Sequence, residues 1–335
     1  MDNITHTLVG LMVSRAGFRQ SDGRGEKGAP LMLMLAANAP DMDTFNFFND
    51  NLAYLQVHRG YSHALAFAPL VALVPLLLVK AFTRTRFTLV TLTTYAGCLL
   101  AVLSHILLDW TNVYGVRLML PFSAKWYRLD VTDIIDPVIL AVLLLALAAP
   151  ALSGLIASEM RGRKSQGPRR GWAWFALLAV LFYDTGRWVA HDKAIGIVDA
   201  HNYRGAPAER ISVFPIRFTV MRWRAVIEGD GFIYEVPVDL SGDFDAAGGR
   251  TEYPAVSSPA IEAARTTRTF QVFESFDQLP FWTLLPVDDT LRVELLDLRF
   301  GSVQNPGFEA VAFVEPDGRV ARAFFSFGGP QLSAR

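Results

Sequence analysis

The sequence predicts a polytopic α-helical membrane domain followed by an antiparallel β-rich domain. Two observations predict the membrane domain: hydrophobic residues make up 52% of the 335 residues against 19% charged residues, and the mean hydropathy is +0.28. Soluble globular proteins seldom have this composition. A third observation predicts the second domain, because long apolar stretches give way to short strand-like runs towards the C-terminus. We therefore expect residues 1–192 to form the helical membrane domain and residues 193–335 to form the β-rich domain.

Apolar stretches define the membrane domain, since crossing a hydrocarbon core takes about 20 residues of helix. Three stretches meet this requirement, namely residues 64–79, 87–108 and 134–152. A fourth, residues 172–190, is apolar for most of its length but carries Asp184 and Arg187, which could pair at i,i+3 near the interface. Two shorter pieces, residues 4–18 and 30–39, predict an N-terminal helical hairpin that dips into the membrane or barely crosses it. The expectation is about four long spans plus this short hairpin.

The distribution of Lys and Arg among the short loops predicts the orientation. Three loops are rich in basic residues, namely residues 15–27, 80–86 and 161–170. We expect these loops to be cytoplasmic. Alternation then places residues 41–62, residues 109–133 and everything after residue 190 on the other side, which is the periplasm in a Gram-negative organism. The predicted location is the inner membrane, with several spans and the C-terminal domain outside the cytoplasm.

Alternating apolar and polar residues predict the strands of the C-terminal domain. The strand-like runs are residues 217–227, 231–240, 269–276, 291–299, 309–314 and 319–327. The last two flank Glu315-Pro316-Asp317-Gly318, whose Pro, Asp and Gly are typical of a tight hairpin turn. An antiparallel arrangement follows from these short connections.

Charge and cysteine content exclude several kinds of partner and site. The net charge is −1, and no segment interleaves basic and aromatic residues, so we expect no nucleic-acid partner. Because Cys98 is the only cysteine, the chain cannot form an internal disulfide or a CxxC metal site. Any metal must therefore be held by His, Asp and Glu. The start Met1-Asp2-Asn3 lacks a basic n-region, which predicts that no signal peptide is removed.

Histidines and aspartates gather at the helix ends that the orientation places outside the cytoplasm. The candidate metal ligands are His6, Asp41, Asp43, His58, His63, His105 and Asp109. His105 and Asp109 are four residues apart, so they share one face of a helix. Imidazole and carboxylate ligands suit Zn²⁺, which we expect first, and also Mn²⁺ or Fe²⁺. The sequence therefore predicts a divalent metal site that could activate water.

Arg59 lies beside these residues in the sequence, and its planar guanidinium suits a phosphate or carboxylate oxygen. Ser62 precedes His63, but no G-x-S-x-G motif surrounds it, which argues against a serine hydrolase. Each candidate ligand also has a structural interpretation, because a His or Asp at a helix end is often a cap or an interfacial residue. The convergence of seven such residues on one face favours the metal site.

Four other polar residues have a structural interpretation as their first explanation. Asp133 and Asp136 precede Pro137, a pattern typical of a helix start, and a role in support of the metal ligands is the alternative. His191 and His201 follow the last apolar stretch and are interpreted as interfacial or loop residues. Asn112 and Tyr114 could either contact a substrate or shape the loop after Asp109.

Five motifs along about the first 140 residues carry a resemblance to a known family. They are Met1-Asp2-Asn3-Ile4-Thr5-His6-Thr7 with Gly10, Ala39-Pro40-Asp41-Met42-Asp43, His58-Arg59-Gly60-Tyr61-Ser62-His63, Ser104-His105 with Asp109, and Asp133-Ile134-Ile135-Asp136-Pro137. In these motifs the chain resembles the YdjM-like family of inner-membrane proteins, which are described as predicted membrane-bound metal-dependent hydrolases. The resemblance implies a membrane location and a metal-dependent hydrolase activity.

The order of the His and Asp residues is also similar, more distantly, to that of the zinc-dependent phospholipase C and P1 nuclease group. That similarity implies a set of metal ligands consisting of His6, Asp41, His58, His105 and Asp109. His63 and Asp43 would complete or orient the cluster. The further histidines and the glutamate on a later helix of that group have no equivalent here, so one or two ions are expected instead of three.

The favoured function is a metal-dependent hydrolase that acts on a phosphoester of a lipid or lipid-linked substrate at the outer face of the inner membrane. The predicted catalytic residues are Asp41 or Asp43 as general base and Arg59 as the cation that stabilises developing negative charge. Two alternatives stay open: a non-enzymatic membrane protein with a structural or transport metal, and a membrane-anchored binding module that acts through the β-rich domain. Beyond the bilayer and the lipid substrate, the sequence predicts no particular protein partner.

Overall fold

The computed structural model describes residues 1–18, 26–48, 50–161 and 169–327, which fold as two units. The first unit comprises Met1–Asp43, Arg59–His191 and Pro215–Val220. The second comprises Thr44–His58, Asp192–Phe214 and Met221–Arg335. The domain boundary expected after residue 192 lies next to the division at residues 191 and 192. Two short segments, 44–58 and 215–220, join the unit opposite to the one their place in the sequence suggests.

Two short helices begin the first unit. Helix α1 is Asn3–Val13, and its first N–H groups, those of Ile4 and Thr5, donate to the carboxylate of Asp2 at 3.0 Å. Helix α2 is Ala29–Asn38, and the 3₁₀ segment Ala39–Phe48 continues it. A Cβ at Gly10 would lie 2.6 Å from the carbonyl oxygen of Leu33, so only glycine lets α1 pack directly on the backbone of α2. These helices form the predicted hairpin.

Among the described residues, five further α-helices follow up to residue 199, and four of them are longer than α1 and α2. Helix α3, Asn51–Val57, belongs to the second unit. The others are α4 at Ala68–Thr83, α5 at Leu89–Thr111, α6 at Pro137–Arg161 and α7 at Arg169–Asp199. Helix α5 is central, because it packs against both α2 and α4. Its buried small residues Gly97, Cys98 and Ala101 allow this close approach.

The prediction of four long spans is wrong. Among the described residues, α5 and the segment Pro137–Gly154 of α6 are long and apolar enough to cross a membrane. A third span is counted only if α4, which has 16 residues, is combined with the bent helical segment 51–63 before it. Helix α7 fails because Asp184 and Arg187 interrupt it, and the uncharged part before them, residues 171–183, is shorter than the ~20 residues required.

A buried ion pair ties the loop between α4 and α5 to the start of α2. Lys80 donates to Glu26 at 3.1 Å, to the carbonyl oxygen of Arg86 at 2.8 Å and to Thr91 at 3.0 Å. Thr91 in turn donates to Glu26 at 2.7 Å. Lys80, which counts towards the cytoplasmic assignment of this loop, therefore also has a structural role.

The described part of the second unit is rich in antiparallel β-structure, as the sequence predicts, and contains two four-stranded sheets. The first has the order β1-β2-β3-β4, with β1 at Arg210–Pro215, β2 at Arg222–Gly229, β3 at Phe232–Asp239 and β4 at Arg250–Glu252. The second has the order β10-β9-β6-β5, with β5 at Pro280–Val287, β6 at Thr290–Asp297, β9 at Glu309–Val314 and β10 at Val320–Ser326. The short strands β7, Gly301–Ser302, and β8, Asn305–Pro306, pair with each other, and two helices, α8 at Pro259–Arg265 and α9 at Arg268–Phe276, lie between β4 and β5.

The predicted hairpin between β9 and β10 is confirmed. Gly318 adopts a φ of +83°, and the N–H of Glu315 donates to the carbonyl oxygen of Arg319 at 2.9 Å. The strand expected at residues 269–276 is wrong, because these residues form α9. The helix buries Phe270, Phe273 and Phe276 along one face, and this spacing of three residues is helical rather than alternating.

Two neighbouring carboxyl groups near the end of α9, those of Asp277 and Asp297, predict a pH-dependent stability for the second unit. Oδ2 of Asp277 is buried, and the desolvation of this carboxyl together with the nearby carboxylate of Asp297 raises the pKa of Asp277 well above its usual value. Arg299 opposes this shift, donating to both oxygens of Asp297 at 3.0 and 2.9 Å. A raised pKa in the folded state means that the stabilisation is present below the unfolded value of about 3.9 and is lost as the pH rises through the folded value.

Replacing Asp277 with Asn should therefore stabilise the second unit at pH 8 and leave it nearly unchanged at pH 4. The amide is neutral at both pH values and can still accept the N–H of Leu279, which donates to Asp277 at 2.9 Å. We expect amide protection in β6 and β9 to rise about fivefold at pH 8, which corresponds to ~1 kcal/mol. Hydrogen exchange followed by mass spectrometry measures it, with the exposed Asp289→Asn as control. Equal amide protection in Asp277→Asn and Asp289→Asn at pH 8 would contradict the interaction between Asp277 and Asp297.

Candidate metal centre

Helix α5 presents two ligand-type side chains one turn apart at its C-terminal end. The side chains of His105 and Asp109 are both fully buried, and Nε2 of His105 lies 3.4 Å from Oδ2 of Asp109. The i,i+4 spacing places both on one face of α5, and His105 on this face contacts the carbonyl oxygen of Ala37 in α2 at 2.7 Å. This part of the site follows directly from the sequence.

Two loops bring a second histidine and a second aspartate to the same point. His63, in the 3₁₀ turn Tyr61–His63, places Nε2 3.0 Å from Nε2 of His105 and 3.3 Å from Oδ2 of Asp109. Asp41, in the 3₁₀ segment after α2, places Oδ1 3.4 Å from Nε2 of His63 and 3.5 Å from Nε2 of His105. One ligand atom from each of these four residues lies within 4.8 Å of all the others. We call these four residues the metal centre.

The tautomer of His105 shows that the centre suits a cation. Nδ1 of His105 lies 2.7 Å from the carbonyl oxygen of Ala37, which can only accept, so Nδ1 carries the hydrogen. Nε2 of His105 therefore presents a lone pair to the centre. Oδ2 of Asp109 is buried and accepts no hydrogen bond from the described part of the chain. A lone pair and a carboxylate oxygen that face each other in a buried site fit a divalent metal ion held by nitrogen and oxygen ligands.

Asp41 contributes a negative charge to the centre. Burial raises the pKa of its carboxyl, but the contacts with His105 and His63 outweigh burial and hold the pKa below its usual value. The residue is therefore ionised at neutral pH. With Asp109, it can offer two of the three carboxylate ligands that the sequence predicts.

His6 lies beside the centre rather than among its four residues. Its ring stacks on that of His105 with the centroids 3.7 Å apart, and its Nε2 lies 3.4 Å from Oδ1 of Asp109. Burial, and to a lesser extent His105, lowers the pKa of His6, so the ring is neutral. Neither ring nitrogen makes a hydrogen bond to the described residues. The backbone nitrogen of Met1 also contacts Oδ1 of Asp109.

Arg59 and Asp43 surround the centre. Arg59 is buried, and its guanidinium lies 3.1 Å from Oδ1 of Asp109 and donates to the side chain of Asn112 at 3.0 Å. It also lies over the ring of Tyr114, 4.5 Å from the centroid. Oδ2 of Asp43 accepts the backbone N–H of Arg59 at 3.1 Å and lies 3.7 Å from Nδ1 of His63. Arg59 thus neutralises and orients Asp109. Asp43 offers a carboxylate oxygen within 4.8 Å of one of Asp41, and its role as a ligand stays a prediction.

Three other residues singled out in the sequence are not among the four residues of the metal centre. His58 belongs to the second unit, where it follows α3 and stacks on the ring of Tyr54 at 4.5 Å, so its role as a ligand stays a prediction. Asp136 caps α6, because it accepts the N–H groups of Val138 at 2.9 Å and Ile139 at 3.2 Å. His201 contacts the carbonyl oxygen of Ile197 through Nδ1 at 2.9 Å.

Sequence reasoning missed two groups that hold the histidines. The carbonyl of Ala37 carries no sequence signal, because any residue has one. Ser62 does have a signal, its position next to His63, but that position alone suggests a nucleophile rather than a partner of the imidazole. In the structure its hydroxyl lies 2.8 Å from Oδ2 of Asp43 and 3.0 Å from Nδ1 of His63.

Comparison with known proteins places these features in a wider context. The model of the YdjM inner membrane protein family matches residues 1–194, more than half of the chain and all of the metal centre. The chain is also 24% identical over 326 residues to YfhP of Bacillus subtilis (strain 168), described as an uncharacterized protein, and the match covers 95% of this chain and 92% of that protein. No solved structure matches. The distant similarity to the phospholipase C and P1 nuclease group therefore has no support.

Proposed function

This chain belongs to the YdjM inner membrane protein family, and from that membership we propose that it is a membrane-bound metal-dependent hydrolase. The observation that carries the proposal is the convergence of Asp41, His63, His105 and Asp109 on one buried point. The substrate class that we propose is a phosphoester in a lipid or lipid-linked molecule. The bilayer and this lipid are the proposed partners.

Each residue of the centre would have a separate role in such a reaction. A divalent ion bound here would supply Lewis acidity for the activation of water. His63 and His105 would hold the ion through Nε2, and Asp109, which Arg59 contacts at 3.1 Å, would be a third ligand. We assign the general base to Asp41, because Oδ2 of Asp43 already accepts hydrogen bonds from Arg59 and Ser62. Asp43 and Arg59, both expected to act on the substrate, would then act on the ligands.

The position of the centre supports a lipid substrate. His105 and Asp109 lie in the last two turns of α5, which is apolar enough to cross a membrane. The basic loop at residues 80–86 lies before the other end of this helix, so the positive-inside rule favours the outer face for the centre. The head group of a membrane lipid would be close to this end of α5 without leaving the bilayer. On the same rule the C-terminal domain lies outside the cytoplasm.

A structural metal site is the second candidate function, and burial favours it. The side chains of His63, His105 and Asp109 are 0% exposed and that of Asp41 is 6% exposed. Structural zinc sites are typically closed, whereas a catalytic site keeps one coordination position open to substrate. Removal of a structural ion would unfold the protein, but removal of a catalytic ion would chiefly stop turnover.

The test is hydrolysis by the purified protein in lipid nanodiscs loaded with Zn²⁺ or Mn²⁺. The substrates are a phosphodiester lipid, phosphatidylglycerol, and a polyprenyl monophosphate, and the released head group or phosphate is measured by mass spectrometry. We expect Asp41→Asn to lower turnover by about 10²–10⁴-fold, the usual contribution of a general base. Because Asp41 could also be a ligand, the metal content of the variant is measured beside its turnover, and only a loss at full metal content reports on the base. His201→Ala, which changes a histidine outside the centre, is the matched control. A metal-loaded protein that hydrolyses neither lipid, and that unfolds when a chelator is added, would instead support the structural site.

A further inference from the structure

We propose that Ser62, backed by Asp43, is a positioning residue that selects the tautomer of His63 and thereby makes the centre receptive to a cation. The inference rests on the proposed metal centre. It concerns metal binding and not hydrolysis, so the two can be tested separately. Nε2 of His63 and Nε2 of His105 lie 3.0 Å apart, a distance that the sequence does not reveal.

The two histidines of the centre present Nε2 to each other at 3.0 Å. A neutral imidazole carries one N–H, and Ala37 holds that of His105 on Nδ1. If His63 carried its hydrogen on Nε2, it would donate to His105 or to the carboxylates of Asp41 and Asp109 at 3.4 and 3.3 Å, and these groups would satisfy each other without an ion. If His63 carries its hydrogen on Nδ1, two lone pairs face each other and repel unless a cation lies near them. The tautomer of His63 therefore decides between a closed polar pair and a metal site.

Ser62 settles this choice because a hydroxyl has only one hydrogen. Its oxygen lies between Oδ2 of Asp43 at 2.8 Å and Nδ1 of His63 at 3.0 Å. A carboxylate can only accept, so the hydroxyl donates to Asp43 and must accept from Nδ1 of His63. Asp43 is held in turn by the backbone N–H of Arg59 at 3.1 Å. The chain of carboxylate, hydroxyl and imidazole thus fixes the hydrogen of His63 on Nδ1 and points the Nε2 lone pair at the centre.

The ligand set that results identifies the class of ion. Two imidazole lone pairs with two carboxylates suit Zn²⁺ or a similar transition metal, whereas Mg²⁺ prefers oxygen ligands. Hydrogen-bond partners behind a ligating histidine typically contribute about 10–100-fold to metal affinity. Ser62 would contribute that amount without touching the ion. The same hydrogen bonds argue against Ser62 as a nucleophile, because its hydrogen is directed at Asp43 and not at a base.

The first experiment compares Zn²⁺ binding by the full-length protein in detergent with that of Ser62→Ala and Ser62→Thr, by competition with a chromophoric chelator. We expect Ser62→Ala to bind about 10–100-fold more weakly and Ser62→Thr, which keeps the hydroxyl, to stay within about threefold of the unchanged protein. Thermal unfolding of each variant confirms that it is folded. Equal affinity of Ser62→Ala and the unchanged protein would overturn the proposal. So would equal losses in both variants, because they would indicate packing and not hydrogen bonding.

A second measurement reads the tautomer itself. ¹⁵N resonances of imidazole-labelled, metal-free protein distinguish a protonated Nδ1 from a protonated Nε2, and His63→Gln assigns the signal. We expect His63 to carry its hydrogen on Nδ1 in the unchanged protein and on Nε2 in Ser62→Ala. The same tautomer in both proteins would contradict the role of Ser62, whether or not the protein hydrolyses any lipid.

Discussion

Replacing His105 and Asp109 together with alanine should abolish metal binding, because the change removes two of the four residues of the centre from the helix that anchors it. Elemental mass spectrometry on detergent-purified protein should find about one or more equivalents of Zn, Mn or Fe in the unchanged protein and almost none in the double variant. The double variant also leaves Nε2 of His63 without its 3.0 Å neighbour.

His201→Ala is the control for this experiment, since it removes a histidine outside the metal centre. It should keep the full metal content. Thermal unfolding should show that the double variant is still folded, because a loss of metal through unfolding would carry no information about the ligands. A double variant that is folded and keeps its metal would show that the ion is bound elsewhere. No metal in the unchanged protein, even after reconstitution, would remove the basis of the hydrolase proposal.

Replacing Arg59 with Met should be the most destabilising single change near the centre. Arg59 is buried and neutralises Asp109, and its guanidinium also donates to Asn112 at 3.0 Å and to the carbonyl oxygen of Gly115 at 3.3 Å. Removing one partner of a buried ion pair typically costs roughly 3–5 kcal/mol. We expect the unfolding temperature of the metal-free protein to fall by about 6 °C or more.

The matched control is Arg84→Met, which removes an exposed arginine and should leave the unfolding temperature within about 1 °C. Arg59→Lys should lie between the two, since lysine keeps the charge but not the planar fork. Added Zn²⁺ should restore part of the stability of Arg59→Met, because the ion would compensate the charge of Asp109. An unfolding temperature for Arg59→Met that equals that of the control would show that Asp109 does not depend on this guanidinium.

The parts of the fold that depend on local pattern could be predicted. The apolar length of α5 and α6, and the turn residues between β9 and β10, describe each element without reference to the rest of the chain. The predictions that were wrong concern elements whose structure depends on packing against other parts of the chain. The pattern of residues 269–276 predicts a strand, whereas the side chains that are buried in the structure show the spacing of a helix, α9. The apolar composition of α7 predicts a span, but its charged residues are costly in a membrane and leave an uncharged part that is too short to cross it.

The sequence by itself determined which residues could form the metal centre, because the positions of Lys and Arg predict that their helix ends lie at one membrane face. The spacing of His105 and Asp109 even determined part of the geometry, since a helix has a fixed pitch. Only the tertiary structure decided the roles. It places Arg59 on Asp109, Asp43 behind Ser62, and His6 beside the four converging ligands. The reason is physical: hydrogen bonds and metal coordination depend on differences of a few tenths of an ångström between loops far apart in the sequence, and no local pattern records such distances.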